Sequence, residues 1–146
     1  MVARFNYADY EFSLRNPSVN RGKLAEYVGY FAGCEQVLDV ACGQGIFLEL
    51  LAQEGIRALG VDRSPSAVAT VRRQGGTVVE RDVLSYLEET EEVYDGVFCS
   101  HFLEHLPFDE VLRFVELLVP RLASQGTLVV VVPNPESIRM QLFGFW

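Results

Sequence analysis

The stretch Val37-Leu38-Asp39-Val40-Ala41-Cys42-Gly43-Gln44-Gly45-Ile46-Phe47-Leu48-Glu49 decides the fold. Val37 to Ala41 is a short apolar run broken by one acid, which predicts a buried strand. Cys42-Gly43-Gln44-Gly45 is a turn. Ile46 to Glu54 then follows helical spacing until Gly55 stops it.

The same alternation continues outward. Ala58-Leu59-Gly60-Val61 is a second strand, closed by Asp62. Ser64 caps a helix with Pro65 at its first position, running to about Gln74 before Gly75-Gly76. Thr77 to Glu80 is a third strand, followed by a short helix over Val83 to Glu88. Tyr94 to Cys99 is the fourth. Pro107 opens a long helix whose apolar positions Val111, Leu112, Val115, Leu118, Val119 and Leu122 are expected to face the core, with Pro120 bending or ending it early. Gly126 turns the chain into a fifth strand, Thr127 to Val132. Ahead of all this, Arg21 to Phe31 reads as a helix ended by Gly33, with Leu24, Tyr27, Val28 and Phe31 on one side.

Strands that alternate with helices through right-handed crossovers form a sheet buried on both faces. The expected fold is therefore α/β and Rossmann-like: a mainly parallel five-stranded sheet, order 3-2-1-4-5, with helices on both faces. The 146 residues read as a single domain. Residues 1–35 are a helical cap, 36–134 the cofactor-binding core and 135–146 an apolar tail.

Composition excludes several classes. Apolar residues make up 49% and charged residues 22%, a globular balance. The net charge of −8 repels phosphate backbones, and the basic residues are scattered, so no nucleic acid is expected as a partner. Leu128 to Val132, the longest apolar stretch, is too short to span a membrane, and Met1 to Tyr10 lacks the apolar run of a signal peptide. Cys34, Cys42 and Cys99 are odd in number and lack paired spacing, which fits a reducing cytoplasm better than a disulfide framework or a zinc site.

Ligands of such sheets bind beyond the carboxyl ends of the strands, at the switch point beside the first. Asp39 to Gly45, Asp62, Asp82 and Cys99 to Phe102 all fall at or just past those ends. Gly43 and Gly45 leave backbone N–H groups open to a ligand. A dinucleotide fingerprint would place another glycine three residues past Gly45, where this chain has Leu48. Asp39 would also repel a pyrophosphate. S-adenosylmethionine has no phosphate and carries an ammonium and a sulfonium, which a carboxylate favours. Asp62 is suited to accept both ribose hydroxyls. Asp82 can accept from an adenine amino group while the Val83 N–H donates to a ring nitrogen. For each acid the competing role is a helix cap.

Val37 to Gly45, Gly60-Val61-Asp62-Arg63-Ser64, Arg81-Asp82-Val83 and Tyr94 to Leu106 resemble the successive motifs of class I methyltransferases, over about Gln36 to Asn134. Ala41 departs from the family, which often has glycine there. The resemblance implies methyl-donor binding by Asp39, Ala41, Gly43, Gly45, Asp62, Arg63, Asp82 and Val83, with Ser100 and Phe102 beside the donor and Arg21 contributed by the cap. A narrower similarity joins Arg21-Gly22, Glu104-His105-Leu106, Pro133 to Ser137 and Phe145-Trp146 to methyltransferase domains of bacterial polysaccharide biosynthesis. The implied acceptor is a small molecule or a saccharide.

Methyl transfer needs alignment and exclusion of water more than acid–base chemistry, although a hydroxyl acceptor calls for a base. His101, just past strand four, is the first candidate and His105 the second; the competing role for His101 is contact with the cofactor or its own loop. Some related methyltransferases hold a divalent ion with Glu-x-x-Glu-His. Here the stretch is His101-x-x-Glu104-His105, and packing of His105 is preferred to ligation, so no metal is expected. Family members add an antiparallel hairpin after strand five, missing from this sequence, which reads as truncated. The alternatives are a tail that folds back or a homodimer through strand five and the tail, where Ile138, Met140, Leu142, Phe143, Phe145 and Trp146 call for cover. Two rival functions are a cofactor-binding domain without turnover of its own and a nicotinamide-dependent oxidoreductase.

Overall fold

The alternating apolar runs become five parallel strands in the computed structural model, which describes residues 17–134. The strands are β1 (Gln36–Val40), β2 (Arg57–Asp62), β3 (Val78–Glu80), β4 (Tyr94–Ser100) and β5 (Leu122–Val131). Their order in the sheet is β3-β2-β1-β4-β5, as the sequence predicts. The helices are α1 (Pro17–Val28), α2 (Ile46–Gln53), α3 (Pro65–Arg73), α4 (Val83–Glu89) and α5 (Phe108–Leu118).

Side chains alternate across the central strand. Leu38 and Val40 face a core built with Leu84 and Leu87 of α4 and Phe114 and Leu118 of α5. Val37 faces the opposite core, with Phe31, Phe47, Leu50, Leu51 and Phe98, beneath α1 and α2. Leu48 of α2 extends that side to Val68 and Val71 of α3. Asp95 anchors the entry to β1, its carboxylate accepting from the backbone N–H groups of Glu35 (2.6 Å) and Gln36 (2.9 Å). The predicted stops and caps are present: Gly33 and Gly55 have positive φ, and Ser64 accepts from the Ala67 N–H at a long 3.5 Å.

Three elements differ from the sequence expectation. Helix α1 starts at Pro17, four residues before Arg21. Strand β5 begins at Leu122 rather than Thr127: Leu122 pairs with Tyr94, the chain bulges through Gln125 (φ 66°), and pairing resumes with Thr127 opposite Gly96. The third is a correction to the core stripe of α5. Leu118 is buried as expected, but Leu112, Val115 and Val119 are 50%, 48% and 64% exposed, and Leu122 lies outside the helix. Phe114 takes the buried position, edge-on to Phe102 at 5.9 Å, and Arg113 pairs with Glu88 of α4 at the surface. Phe108, Leu112, Val115 and Val119 then form an exposed stripe at helical spacing on the flank away from α4. Pro120 acts as expected: α5 stops at Leu118 and one 3-10 turn, Val119–Arg121, leads into β5.

Leu38→Ala would leave a void at a fully buried position of the central strand. The expected cost is about 2–5 kcal/mol, read as a lower urea midpoint with an unchanged slope.

Candidate functional site

Two cavities open along the carboxyl ends of the strands. The first, about 430 Å³, is walled by Asp39, Ala41, Cys42, Gly43 and Gln44 from the β1–α2 turn, with Phe47, Phe98 and Ser100. Asn20 and Leu24 of α1 close its outer side. The second, about 490 Å³, is lined by Asp62, Arg63, Asp82, Val83, Phe102 and His105 among others. Ala41 and His101 belong to both walls, so the cavities meet at a seam between the ends of β1 and β4.

The three acids differ in how they are held. Asp39, 3% exposed, lies opposite Gly60 on β2 and Phe98 on β4, and its Oδ2 has no hydrogen-bond partner. Burial, and secondarily the charge of Asp62, raise its carboxyl well above the usual carboxylate range. Asp62 is satisfied by backbone: Oδ2 accepts from the Gly43 N–H and Oδ1 from the Ser64 N–H, both at 2.8 Å. Each oxygen keeps a further lone pair for a ligand. Asp82 caps α4, its Oδ1 accepting from the N–H groups of Leu84 (3.0 Å) and Ser85 (3.2 Å), while its side chain borders the second cavity. Capping and cavity lining therefore coincide in this residue.

The two turn glycines divide their work. Gly43 (φ 54°) lines the first cavity, and a Cβ there would meet open space. Gly45 (φ 78°) is buried, and its Cβ would come 2.7 Å from a methyl of Val71 on α3, so its smallness serves helix packing. Gly60 keeps the floor clear, since a Cβ would lie 2.6 Å from the Cys42 sulfur. Among non-glycine residues Ala41 (φ 54°) and His101 (φ 52°), the two seam residues, are in the left-handed region. The His101 N–H donates to the Val131 carbonyl at 2.9 Å, which carries the β4–β5 ladder one residue past β4.

Most residues singled out in the sequence are brought together here. Arg21 is not among the lining residues; its guanidinium pairs with Glu49 of α2 at 2.8 Å and ties the two helices. Among the described residues no three His, Cys, Asp or Glu side chains converge as a metal site. Asn20, Phe47 and Phe98 of the first wall, and Glu88, Glu110 and Arg113 of the second, were not anticipated. Glu110 and Arg113 carry the one usable signal, opposite charges spaced three apart on one helix face. The Cys99 thiol behind the seam is pushed up to about 12 by burial, then by Asp39 and Glu104.

A parallel sheet of this order, with acids at three successive strand ends and a crevice at the switch point, defines a Rossmann-like ligand-binding domain. The methyltransferase-domain family profile matches residues 12–146, and the chain belongs to that family. It is similar to the ubiquinone biosynthesis O-methyltransferase of Cronobacter sakazakii, 37% identical over 95 residues that cover 59% of this chain and 37% of the relative. The Pseudomonas entomophila protein of the same name is 40% identical over 117 residues, covering 75% of this chain and 50% of the relative. The chain thus spans half or less of the length of these relatives. A SAM-dependent methyltransferase from Archaeoglobus fulgidus superposes with a TM-score of 0.82 at 33% identity, over 92% of this chain and 62% of that one. The plantazolicin methyltransferase BpumL, solved with SAH, shares the fold at a TM-score of 0.73 and 19% identity, over 94% of this chain and 56% of that one.

The raised Asp39 carboxyl favours the folded state while it is protonated. That contribution is complete below its unfolded value and is lost as pH climbs through the higher folded one. Asp39→Asn should therefore raise the Tm of the ligand-free protein at about pH 7.5 and change it little at about pH 4. Melting curves at several pH values check this, with an unchanged gap between variant and wild type as the contrary result.

Proposed function

We propose that this chain binds S-adenosylmethionine across the two cavities and takes part in methylating a small molecule. The observation that carries the reading is the buried, unpartnered Asp39 carboxylate in the wall of the first cavity. A carboxylate kept from water calls for a cation, and S-adenosylmethionine brings an ammonium and a sulfonium. Bound there, it supplies a methyl carbon already activated for displacement. Asp39 would hold the amino-acid end. The free lone pairs of Asp62 would accept the ribose hydroxyls, and Asp82 with the Val83 N–H would meet the adenine. Apolar side chains, Phe47 and Phe98 on one side and Phe102 on the other, flank the seam where Ser100 and His101 lie.

The curated relatives named above are O-methyltransferases of ubiquinone biosynthesis, which favours a hydroxyl on a small molecule as acceptor. A saccharide hydroxyl is the acceptor suggested by the likeness of Arg21-Gly22 and Glu104-His105-Leu106 to polysaccharide-modifying enzymes. The net charge of −8 weighs against a nucleic-acid acceptor. Among the described residues no helix is long and apolar enough to cross a membrane, and three unbridged cysteines suit the cytoplasm. Leu48 and Asp39 count against a nicotinamide cofactor.

Calorimetry with S-adenosylmethionine tests the reading: micromolar binding is expected, and NAD should neither bind nor raise the Tm. Asp62→Ala should weaken donor binding by about 2–3 kcal/mol. Binding of NAD alone, or an Asp62→Ala affinity equal to wild type, would overturn it.

A homodimer through the outer strand is part of the same proposal. Leu128 and Val130 are exposed on β5 and Val132 just past its end, and α5 carries an exposed apolar stripe. The tail at 135–146 lies outside the described residues. Light scattering at dilute concentration should give twice the chain mass; a soluble monomer would exclude the dimer.

A further inference from the structure

The imidazole of His101 stands where the two cavities meet, and one of its nitrogens is already committed. Its Nδ1 lies 3.1 Å from Oε1 of Glu104, three residues on, at the centre of the 3-10 turn Leu103–His105. The backbone on either side of that pair is fixed. His101 is held at φ 52°, a conformation that costs an L-residue energy, by the hydrogen bond from its N–H to Val131. Strain retained at a cavity wall, with the side chain tethered on one nitrogen, is a geometry kept for the ring's orientation.

The chemistry follows from the tether. A carboxylate accepts only, so a neutral His101 must carry its proton on Nδ1 to satisfy Glu104. Nε2 is then the ring's lone-pair nitrogen. We propose that Glu104 is a positioning residue that fixes His101 as the Nδ1–H tautomer, so that Nε2 accepts the proton of a hydroxyl acceptor at the seam. The inference rests on reading the crevice as a methyl-donor site. In the step it serves, the acceptor oxygen forms a bond to the methyl carbon while the carbon–sulfur bond breaks. The sulfur keeps that electron pair, and the hydroxyl proton passes to Nε2. The resulting imidazolium is balanced by Glu104, whose carboxylate stays ionised. The pair would select hydroxyl acceptors, which must lose a proton, over acceptors that are already anionic or need no base.

The test does not depend on knowing the acceptor. The chain has two histidines, so nitrogen-15 spectra of the whole labelled protein hold two imidazoles, and His105→Asn assigns them. At a pH where the rings are neutral, His101 should be predominantly the Nδ1–H tautomer. Glu104→Ala should turn it predominantly to Nε2–H, and Glu104→Gln, whose carbonyl still accepts from Nδ1, should restore Nδ1–H. An Nε2–H ring in the wild type, or a tautomer indifferent to Glu104→Ala, would overturn the proposal. Titration of S-adenosylhomocysteine into the wild type reads the underlying function separately. Absence of binding there would sink the donor site while leaving the tautomer result to stand or fall by itself.

Discussion

A carboxylate buried on the central strand governs the arrangement around it. Asp39 sits between Gly60 and Phe98 and shares the wall of the first cavity with the stacked rings of Phe47 and Phe98 (3.8 Å between centroids). Burying such a group without a partner costs several kcal/mol when it is charged. The sheet tolerates it because β1 is paired on both edges and cannot shift register to expose it. Opposite Asp39, Gly60 leaves room for the Cys42 sulfur and Leu48, and Gly43 leaves the turn beside the first cavity without side-chain bulk.

Asp62 shows how the same side chain becomes a different instrument a few ångströms away. Two backbone N–H groups orient its carboxylate, one from the β1–α2 turn and one from the N-terminal approach to α3. It therefore joins the first two βα units mechanically as well as lining the crevice. One acid is fixed and solvated by backbone; the other is fixed by packing and left without a partner. That contrast gives the two ends of the crevice different polar character: a buried carboxyl oxygen without a partner at one, and a backbone-held carboxylate with spare lone pairs at the other.

The strand ends were legible because the physics that sets them is local. Apolar runs of four to six residues, a glycine turn, and Ser64-Pro65 or Asp82 at helix starts each act within a few positions of themselves. The rotation of α5 was not legible, because several stripes on that helix are apolar and the buried one, with Phe114 against Phe102, depends on residues of other elements. The start of β5 was hidden for a related reason: the left-handed Gln125 carries no sequence mark, and only pairing with Tyr94 draws Leu122 into the sheet. At the crevice, the acids could be read from their positions after strands. The packing role of Gly45 and the tether of Arg21 to Glu49 could not, since both depend on helices meeting across the fold.

The central position of β1 also orders events in time. Among the described strands it is made first, and Val37 can pair with Ala58 as soon as β2 follows. Its other edge must wait for Gly96 of β4, after two more helices and β3 have been made. Pairings so distant along the chain close slowly and leave an apolar edge open meanwhile. The seam at Ala41 and His101 needs that pairing and then β5, whose Val131 holds the His101 backbone, so a chain that ends before β4 displays half a crevice and an uncovered edge of β1.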